Sequence, residues 1–171
     1  YTTYEDAQTA QTAGYISSGT LAAVETLFAQ RPRKPASVKV GYVDIVGGET
    51  YGTGLTACIA FDSAFYGVCT TSRVDTDIVI ASNAVEAATK RMLYYFQDSD
   101  ASWLDSGVPT NIAAIADNER TAGVFHTTDA EWGDVAAIGN RLAYDPDEKS
   151  VPWHYYGPRG VDDYSTLPTA A

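Results

Sequence analysis

Two carboxylates and two hydroxyls lie close together at Asp98, Ser99, Asp100 and Ser102. They follow an apolar and aromatic run, 92–96, which has the length and composition of a buried strand. Oxygen ligands of this kind suit a hard cation such as Mg²⁺ or Ca²⁺. The same residue types also make turns and cap helices. The sequence favours a turn, so we predict no metal site and keep Asp98 and Asp100 as the candidate ligands of a cation.

A histidine stands at the end of another predicted strand, since His126 closes the run 121–126. A general base must lie within hydrogen-bond reach of the proton that it removes, and its usual serine partner sits in a Gly-x-Ser-x-Gly elbow. The chain has no such elbow, and its other histidine, His154, lies in an aromatic stretch. Structural roles are favoured for both histidines. A small α/β enzyme, or a cation-dependent ligand-binding domain around Asp98 and His126, stays as the alternative.

Neither the glycines nor the cysteines indicate a cofactor. The segment 47–54 holds four glycines in eight residues, but no Gly-Lys-Ser or Gly-Lys-Thr follows, as a phosphate-binding loop requires. We expect a flexible connection there. Cys58 and Cys69 are the only cysteines and have apolar neighbours. Two reduced thiols are favoured over a disulfide, and no zinc site is indicated.

The charge balance limits the partners of the chain. Its 171 residues include 11 Lys and Arg against 22 Asp and Glu, for a formal net charge of −11. Such a field repels nucleic-acid phosphates and anionic lipid headgroups, so we expect no direct contact with nucleic acid or membrane. The one basic cluster, Arg31, Arg33 and Lys34, is interrupted by prolines and is typical of a solvated turn.

Hydrophobic periodicity alternates between helix and strand along the chain. Helices are predicted around 21–28, at 55–61, within 75–91, at 111–118 and after a capping box at Thr128 and Glu131. Strands are predicted at 37–45, 65–70, 92–96 and 121–126, with an edge strand or arm at 151–156. This alternation predicts an α/β fold of three layers, with a mostly parallel or mixed sheet of four to five strands and helices on both faces.

The length predicts a single α/β domain. Its predicted parts are an N-terminal extension at 1–18, a core at 19–146, and a closing strand or arm with a C-terminal linker at 147–171. The chain begins at Tyr1 and its only methionine is Met92. We therefore expect it to be an excised piece of a longer protein, with N-terminal processing as the alternative.

Several motifs follow one another in an order that resembles the contractile tail-sheath proteins of bacteriophages. The resemblance spans residues 19–161 and rests on order and spacing rather than on any single motif. The stretches that carry it are Phe28-Ala29-Gln30 with Pro32 and Pro35, Val38 to Gly41, Phe65-Tyr66-Gly67, Lys90 to Asp100, Arg120 to Trp132, Arg141 to Pro146, Trp153, and Gly160-Val161.

This resemblance implies a structural protein of the virion tail, assembled in the bacterial host cytoplasm, and no enzyme or cofactor. Its partners would be other sheath subunits, the tail tube and the baseplate. Copies of a sheath protein form a helical sleeve around the tube and contract for genome delivery. The isolated fragment is expected to be monomeric. The residues that we expect to contact neighbouring subunits are Arg31, Arg33, Lys34, Trp153, Tyr155, Tyr156 and Arg159.

Overall fold

The computed structural model of the chain describes residues 1–105, 107, 112, 118–143 and 159–161. It has an α/β fold, as the sequence predicts, but its parallel sheet has three strands in the described residues rather than four to five. The elements in chain order are α1 (Tyr4–Thr12), α2 (Ser18–Ala29), α3 (Tyr51–Phe61), β1 (Gly67–Cys69), α4 (Asp75–Ala87), β2 (Leu93–Asp98), a short 3-10 helix (Ala101–Leu104), β3 (Thr121–Phe125) and α5 (Gly133–Arg141).

The described residues fall into two compact units. One unit contains residues 1–39, 130–143 and 159–161, and therefore α1, α2 and α5. The other contains the sheet with α3 and α4, within residues 40–129. The prediction of a single domain, and of helices on both faces of the sheet, stays a prediction. No helix in the described part of the chain has the length and apolar character needed to cross a membrane.

The sheet is built around β2, which pairs in parallel with β1 on one side and β3 on the other. Tyr94, Tyr95, Phe96 and Gln97 are each at most 3% exposed. Both faces of β2 are therefore buried, which explains why its sequence is continuously apolar rather than alternating. The sequence prediction of a strand at 92–96 is confirmed, as are those at 65–70 and 121–126.

Helix α4 packs on one face of this sheet. Its fully buried side chains Ile78, Ala81 and Val85 join Tyr94 and Phe96 in one hydrophobic cluster. These positions recur at three- and four-residue intervals, so they form one stripe along the helix. That stripe is what made α4 predictable from the sequence.

The segment 47–54 is not the flexible connection that its glycines suggested, because α3 begins at Tyr51 and includes Gly52 and Gly54. Thr50 starts the helix through a capping box with Thr53. A side chain at Gly52 would place its Cβ 2.7 Å from Ile80 Cγ2 on α4. Gly52 therefore permits close packing of α3 against α4. Amino-acid composition alone cannot distinguish a glycine that serves helix packing from a glycine in a loop.

The predicted strand at 37–45 is also wrong, since no strand is present in this segment. Val38 exchanges two main-chain hydrogen bonds with Tyr1, of 2.8 and 2.9 Å. Residues beyond it run along α3, with Gly41 against Cys58 and Val43 against Gly54. The segment has the alternating pattern of a strand, but no neighbouring strand pairs with it in the described residues.

In the other unit, the predicted N-terminal extension contains a helix, α1, which Thr3 starts through a capping box with Asp6. Ala7 of α1 packs with Val24 and Phe28 of α2. Helix α2 begins after Ser17, as predicted. Helix α5 begins at Gly133 and not at the predicted capping box at Thr128 and Glu131. The predicted helix at 111–118 and the arm at 151–156 lie largely or wholly outside the described residues.

Close packing of aromatic rings in the sheet unit generates a prediction at Gly123. A Cβ at this position would lie 2.5 Å from Trp103 Cη2 and 2.7 Å from Phe96 Cζ, inside a stack of two aromatic rings 5.5 Å apart. Gly123→Ala is therefore expected to lower the free energy of unfolding by about 1–3 kcal/mol through overpacking. Urea denaturation measures the change.

Gly19 provides the matched control, because the nearest atom to a Cβ there is Ser17 Oγ at 3.8 Å. Gly19 lies in α2, where alanine is the better helix former. Gly19→Ala should leave the stability equal or higher. Equal destabilisation by the two substitutions would contradict the packing account.

Candidate functional site

The carboxyl ends of β2 and β3 meet at one edge of the sheet, where a ligand of an open α/β sheet would bind. Asp98 is the last residue of β2, and His126 directly follows β3. The main-chain N–H of His126 donates to the carbonyl of Asp98 at 3.0 Å. The structure therefore brings together the two positions of the alternative, enzymatic or cation-binding hypothesis.

The carboxylates at this edge are engaged in turns. Asp98 Oδ1 accepts the main-chain N–H of Asp100 at 3.1 Å, and Asp100 Oδ1 accepts that of Ser102 at 2.8 Å. The second bond caps the short 3-10 helix. Among the described residues, no three His, Cys, Asp or Glu side chains come together as a metal site requires. Asp98 and Asp100 therefore have the geometry of turn residues.

The imidazole of His126 is buried, with 3% of the residue exposed. Its Nδ1 lies 3.1 Å from the main-chain nitrogen of Thr128, which donates to it, and 3.1 Å from the carbonyl oxygen of the same residue. Gln97 Nε2 donates to that carbonyl at 3.0 Å. Two buried polar side chains thus hold the loop that follows β3. Thr128, predicted to cap a helix, contributes its main chain to this network instead.

Burial raises the pKa of Asp98 above its ordinary value of 3.8. The nearby carboxylates of Asp75 and Asp100 act in the same direction, while main-chain hydrogen bonds from Asp100 and Ser99 oppose the shift. A carboxyl group with a raised pKa in a cleft can serve as a general acid. Here the carboxyl is hydrogen bonded to the main chain of its own loop.

A second cluster of polar side chains lies at the end of α2, in the other unit. Gln30 is fully buried. Its Nε2 donates to the carbonyls of Thr26 and Arg159, each at 2.7 Å, and its Oε1 accepts the main-chain N–H of Arg159 at 3.3 Å. The amide therefore pairs with both main-chain groups of one residue, as a neighbouring strand would. We call this contact the Gln30 clamp.

The clamp fixes two stretches of chain that lie more than a hundred residues apart. Thr26 Oγ1 donates to the carbonyl of Gly160 at 3.4 Å, and Gly160 has a φ of 72°, in the left-handed region that glycine tolerates best. Val161 is 9% exposed. On the other side, Asn140 of α5 donates through Nδ2 to the carbonyl of Arg31 at 2.8 Å. Hydrogen bonds therefore join the end of α2, at residues 26–31, to Arg159 and Gly160 and to Asn140 of α5.

Arg31 caps α2 with its guanidinium. Its Nη1 lies 3.2, 3.3 and 2.8 Å from the carbonyl oxygens of Phe28, Ala29 and Gln30. The last carbonyls of a helix lack the intrahelical N–H partners of its interior, so a cation at this end stabilises it. Arg120 plays the same part at the end of α4 in the sheet unit, where its Nη1 donates to the carbonyls of Val85 at 3.2 Å and Ala88 at 2.8 Å.

The remaining candidates for subunit contact differ in their surroundings. Arg33, Lys34 and Arg159 are exposed, and Lys34 Nζ lies 5.2 Å from the centre of the Phe28 ring. Trp153, Tyr155 and Tyr156 lie outside the described residues. Cys58 and Cys69 are half-buried and are not joined by a disulfide in the structure.

Sequence reasoning identified Gln30 as part of a motif but gave it no role, and it missed Asn140 altogether. A glutamine directly after an apolar helix and before Arg31-Pro32 is a signal for a buried amide, because the main chain turns there and loses its helical partners. Asn140 gives no such signal, since asparagine on a helix is ordinary.

An open groove of about 620 Å³ lies between α3 and α4. Its lining holds no ionisable side chain, consisting of Thr50, Gly52, Thr53, Thr56, Ala57, Ala60, Asn83 and Ala84. Hydroxyl and methyl groups of this kind supply neither an acid nor a base. The chain matches no protein-family model, no curated protein and no solved structure.

The clamp generates a prediction for Gln30→Ala. The substitution leaves Thr26 O, in a buried residue, and both main-chain groups of Arg159 without this partner, and polar groups inside a packed structure are costly to leave unpaired. We expect the free energy of unfolding to fall by about 2–4 kcal/mol, measured by urea denaturation. Gln30→Glu should lose comparable stability at neutral pH and regain part of it in acid, where the protonated carboxyl donates again.

Gln8, exposed on α1, supplies the control, and Gln8→Ala should change the stability by less than about 0.5 kcal/mol. An equally small effect of Gln30→Ala would show that the amide does not hold the chain.

A separate prediction concerns Asp98→Asn. The raised pKa means that the folded state binds a proton more tightly than the unfolded state, so stability falls as the pH rises from 3.8 through the raised pKa. Asparagine keeps the Oδ1 acceptor and carries no charge. At neutral pH the variant should therefore be at least as stable as the parent. As the pH is lowered from the raised pKa of Asp98 to 3.8, the stability of the parent should increase relative to that of the variant.

Urea denaturation of both proteins across the acidic range measures this difference. If the parent were much more stable than Asp98→Asn at neutral pH, the ionised carboxylate would have a favourable partner. This result would contradict a raised pKa of Asp98.

Proposed function

We propose that the protein is a structural subunit, or an excised domain of one, of the contractile tail sheath of a bacteriophage. Its copies assemble helically around the tail tube, and their rearrangement drives the tube through the host envelope. The proposal rests on the order and spacing of the motifs between residues 19 and 161.

The single observation that supports it most is how the motif residues are used. Gln30, from the first part of the resemblance, binds both main-chain groups of Arg159, and Thr26 binds the carbonyl of the next residue, Gly160, from the last part. Arg120 and His126, from a third part, anchor a helix end and a loop. Motif residues that hold main chain in place support a structural role for these motifs.

The bonding of the side chains at the carboxyl ends of β2 and β3 favours a sheath subunit over an enzyme or a cation-dependent binding domain. Asp98, Asp100 and His126 carry the groups that an enzyme or a cation-binding domain would use, yet each of them is bonded to a nearby main-chain N–H. A catalytic group must be able to reach a substrate proton. One oxygen of each carboxylate is therefore already used in a turn.

The exposed charges supply surfaces for assembly. A chain with a net charge of −11 repels its own copies, so its few exposed cations are the natural points of attraction between them. Arg33 and Lys34 lie next to each other and are exposed, and Arg159 is exposed close to the clamp. Head-to-tail contacts between such surfaces and acidic ones generate a helical array when they do not close into a ring.

Negative-stain electron microscopy of the full-length gene product tests the proposal. We expect tubes or polysheaths, and we expect Arg33→Ala to reduce their number because it removes an exposed cation. Dispersed particles under every condition of salt, pH and protein concentration would count against a sheath protein.

The neighbouring arginine is a matched control. Arg31→Ala removes the cap of α2 and should cost about 0.5–1.5 kcal/mol of stability, whereas Arg33→Ala should stay within about 0.5 kcal/mol. Thermal unfolding separates the two effects. An Arg33→Ala protein that assembles like the parent would remove Arg33 from the contact surface.

A further inference from the structure

The loop before α3 presents two apolar side chains between two carboxylates. Asp44 and Glu49 close this loop: the main-chain N–H of Asp44 donates to Glu49 Oε2 at 2.8 Å, and that of Glu49 donates to the carbonyl of Asp44 at 2.9 Å. Ile45 and Val46, which lie between them in sequence, are 52% and 99% exposed. The hydrogen bonds therefore hold an apolar tip on the surface. We call residues 44–49 the acidic loop.

A surface with cations and aromatic rings lies where β1 and β2 begin. The main-chain N–H of Leu93 donates to the carbonyl of Tyr66 at 2.8 Å, so these two residues are neighbours. Tyr66 is 68% exposed and Leu93 39% exposed. Lys90 Nζ lies 4.3 Å from the centre of the Tyr66 ring and donates to the carbonyl of Ser63. Lys90 therefore links the start of β1 to the chain that leaves α3.

Two further exposed side chains extend this surface. Phe61, the last residue of α3, is 93% exposed. Arg91 follows Lys90 and is also exposed. Asp62, the carboxylate next to Phe61, accepts the main-chain N–H of Ala64 at 2.8 Å. We call the exposed residues at this end the aromatic-basic patch, which consists of Phe61, Tyr66, Lys90, Arg91 and Leu93.

The acidic loop and the aromatic-basic patch lie at opposite ends of α3. The loop ends directly before the helix begins, whereas Phe61 is its last residue. The chain that leads into the loop runs back along the helix, with Gly41 against Cys58 and Val43 against Gly54. A helix of 11 residues is about 16 Å long. A contact between the loop and the patch must therefore join two molecules.

The two surfaces are complementary in charge and polarity. The loop has two carboxylates beside aliphatic side chains, and the patch has two cations beside aromatic ones. No lysine or arginine occurs between residues 40 and 72, so the carboxylates of the loop have no cation close to them in sequence. Two copies with a net charge of −11 repel each other overall. Placing the carboxylates of one copy on the cations of the next reverses that repulsion locally, which favours a second copy as the partner.

We propose that the acidic loop of one copy of the chain binds the aromatic-basic patch of a second copy. Val46 packs on the exposed rings of the patch, and the carboxylates of the loop face its two cations. Because the two surfaces lie at opposite ends of α3, each copy can bind one neighbour at each end. Such a head-to-tail contact propagates into an open array unless its rotation closes.

The inference deepens the proposed function by naming surfaces that join subunits, and it rests on that function for its biological role. The contact contains few residues, and exposed ion pairs contribute little each. It is therefore weak between two copies in dilute solution, in keeping with a monomeric fragment. It becomes strong when an assembly holds many copies together.

Zero-length crosslinking tests the contact in the unaltered chain. A water-soluble carbodiimide joins a lysine amine to a carboxylate that touches it, and a mixture of isotopically labelled and unlabelled chains identifies the links between molecules. We expect Lys90 to be linked to Asp44 or Glu49 of another copy at least about tenfold more than Lys34 is. Lys34 is a matched control, because it is exposed and lies outside both surfaces.

Equal yields at Lys90 and Lys34 would overturn the inference. So would the absence of links between molecules at high protein concentration, since the two surfaces would then belong to a different partner.

Sedimentation equilibrium at high concentration tests the two halves separately. Val46→Ser removes the tip of the loop and Phe61→Ser removes a ring of the patch, so each variant alone should associate at least about tenfold more weakly than the parent. A mixture of the two variants should form dimers, because one supplies an intact loop and the other an intact patch. Tyr15→Ser is the control and should associate as the parent does, since Tyr15 is 80% exposed in the other unit.

A mixture that associates no more than the separate variants would contradict a contact between loop and patch. Equal weakening by Tyr15→Ser would contradict it as well, because the effect would then follow from any loss of exposed apolar surface. Thermal unfolding of the three variants should match that of the parent, since all three positions are exposed.

Failure of this inference is distinguishable from failure of the proposed function. Full-length Val46→Ser protein that forms tubes as the parent does would remove the acidic loop from the contact and leave the sheath assignment standing. Links from Lys90 to the acidic loop in a full-length product that never forms tubes would support the contact and contradict the sheath assignment.

Discussion

Buried main-chain groups must find hydrogen-bond partners, and this requirement organises the whole structure. The sheet meets it for β2 on both sides. Polar side chains meet it elsewhere: the Gln30 clamp for Arg159, and His126 with Gln97 for the loop at Thr128. The side chains that look most like catalytic groups in the sequence therefore already have structural partners.

Under the proposed function, the protein acts through its surfaces. The two ends of the resemblance meet at the clamp, so it fixes the chain path of one unit, while the sheet unit ends in an edge strand whose outer groups have no partner strand in the described residues. We connect the proposed sheath function with these two features, because a protein that assembles needs a fixed chain path and exposed surfaces.

Sequence patterns predicted the elements whose signals are local. Ser17 marks the start of α2, the stripe from Ile78 to Val85 marks α4, and the apolar run at 92–96 marks β2. Sequence patterns failed where the structure depends on a pairing or packing partner elsewhere in the chain. The alternation at 37–45 predicted a strand, but pairing needs a neighbour, and the glycines of α3 serve helix packing. At the candidate site, the turn roles of Asp98 and Asp100 were foreseen, whereas the Gln30 clamp depends on residue 159, which no local pattern reveals.

Quantitative mass spectrometry of phage particles tests the central claim most directly. The particles would be purified from a culture that carries the gene, and the copies of this product would be counted relative to the tail-tube protein. A structural subunit of the sheath should be among the most abundant tail proteins, with a copy number of the same order as that of the tube. Absence of the product from intact particles, together with its presence in the soluble lysate, would contradict the account.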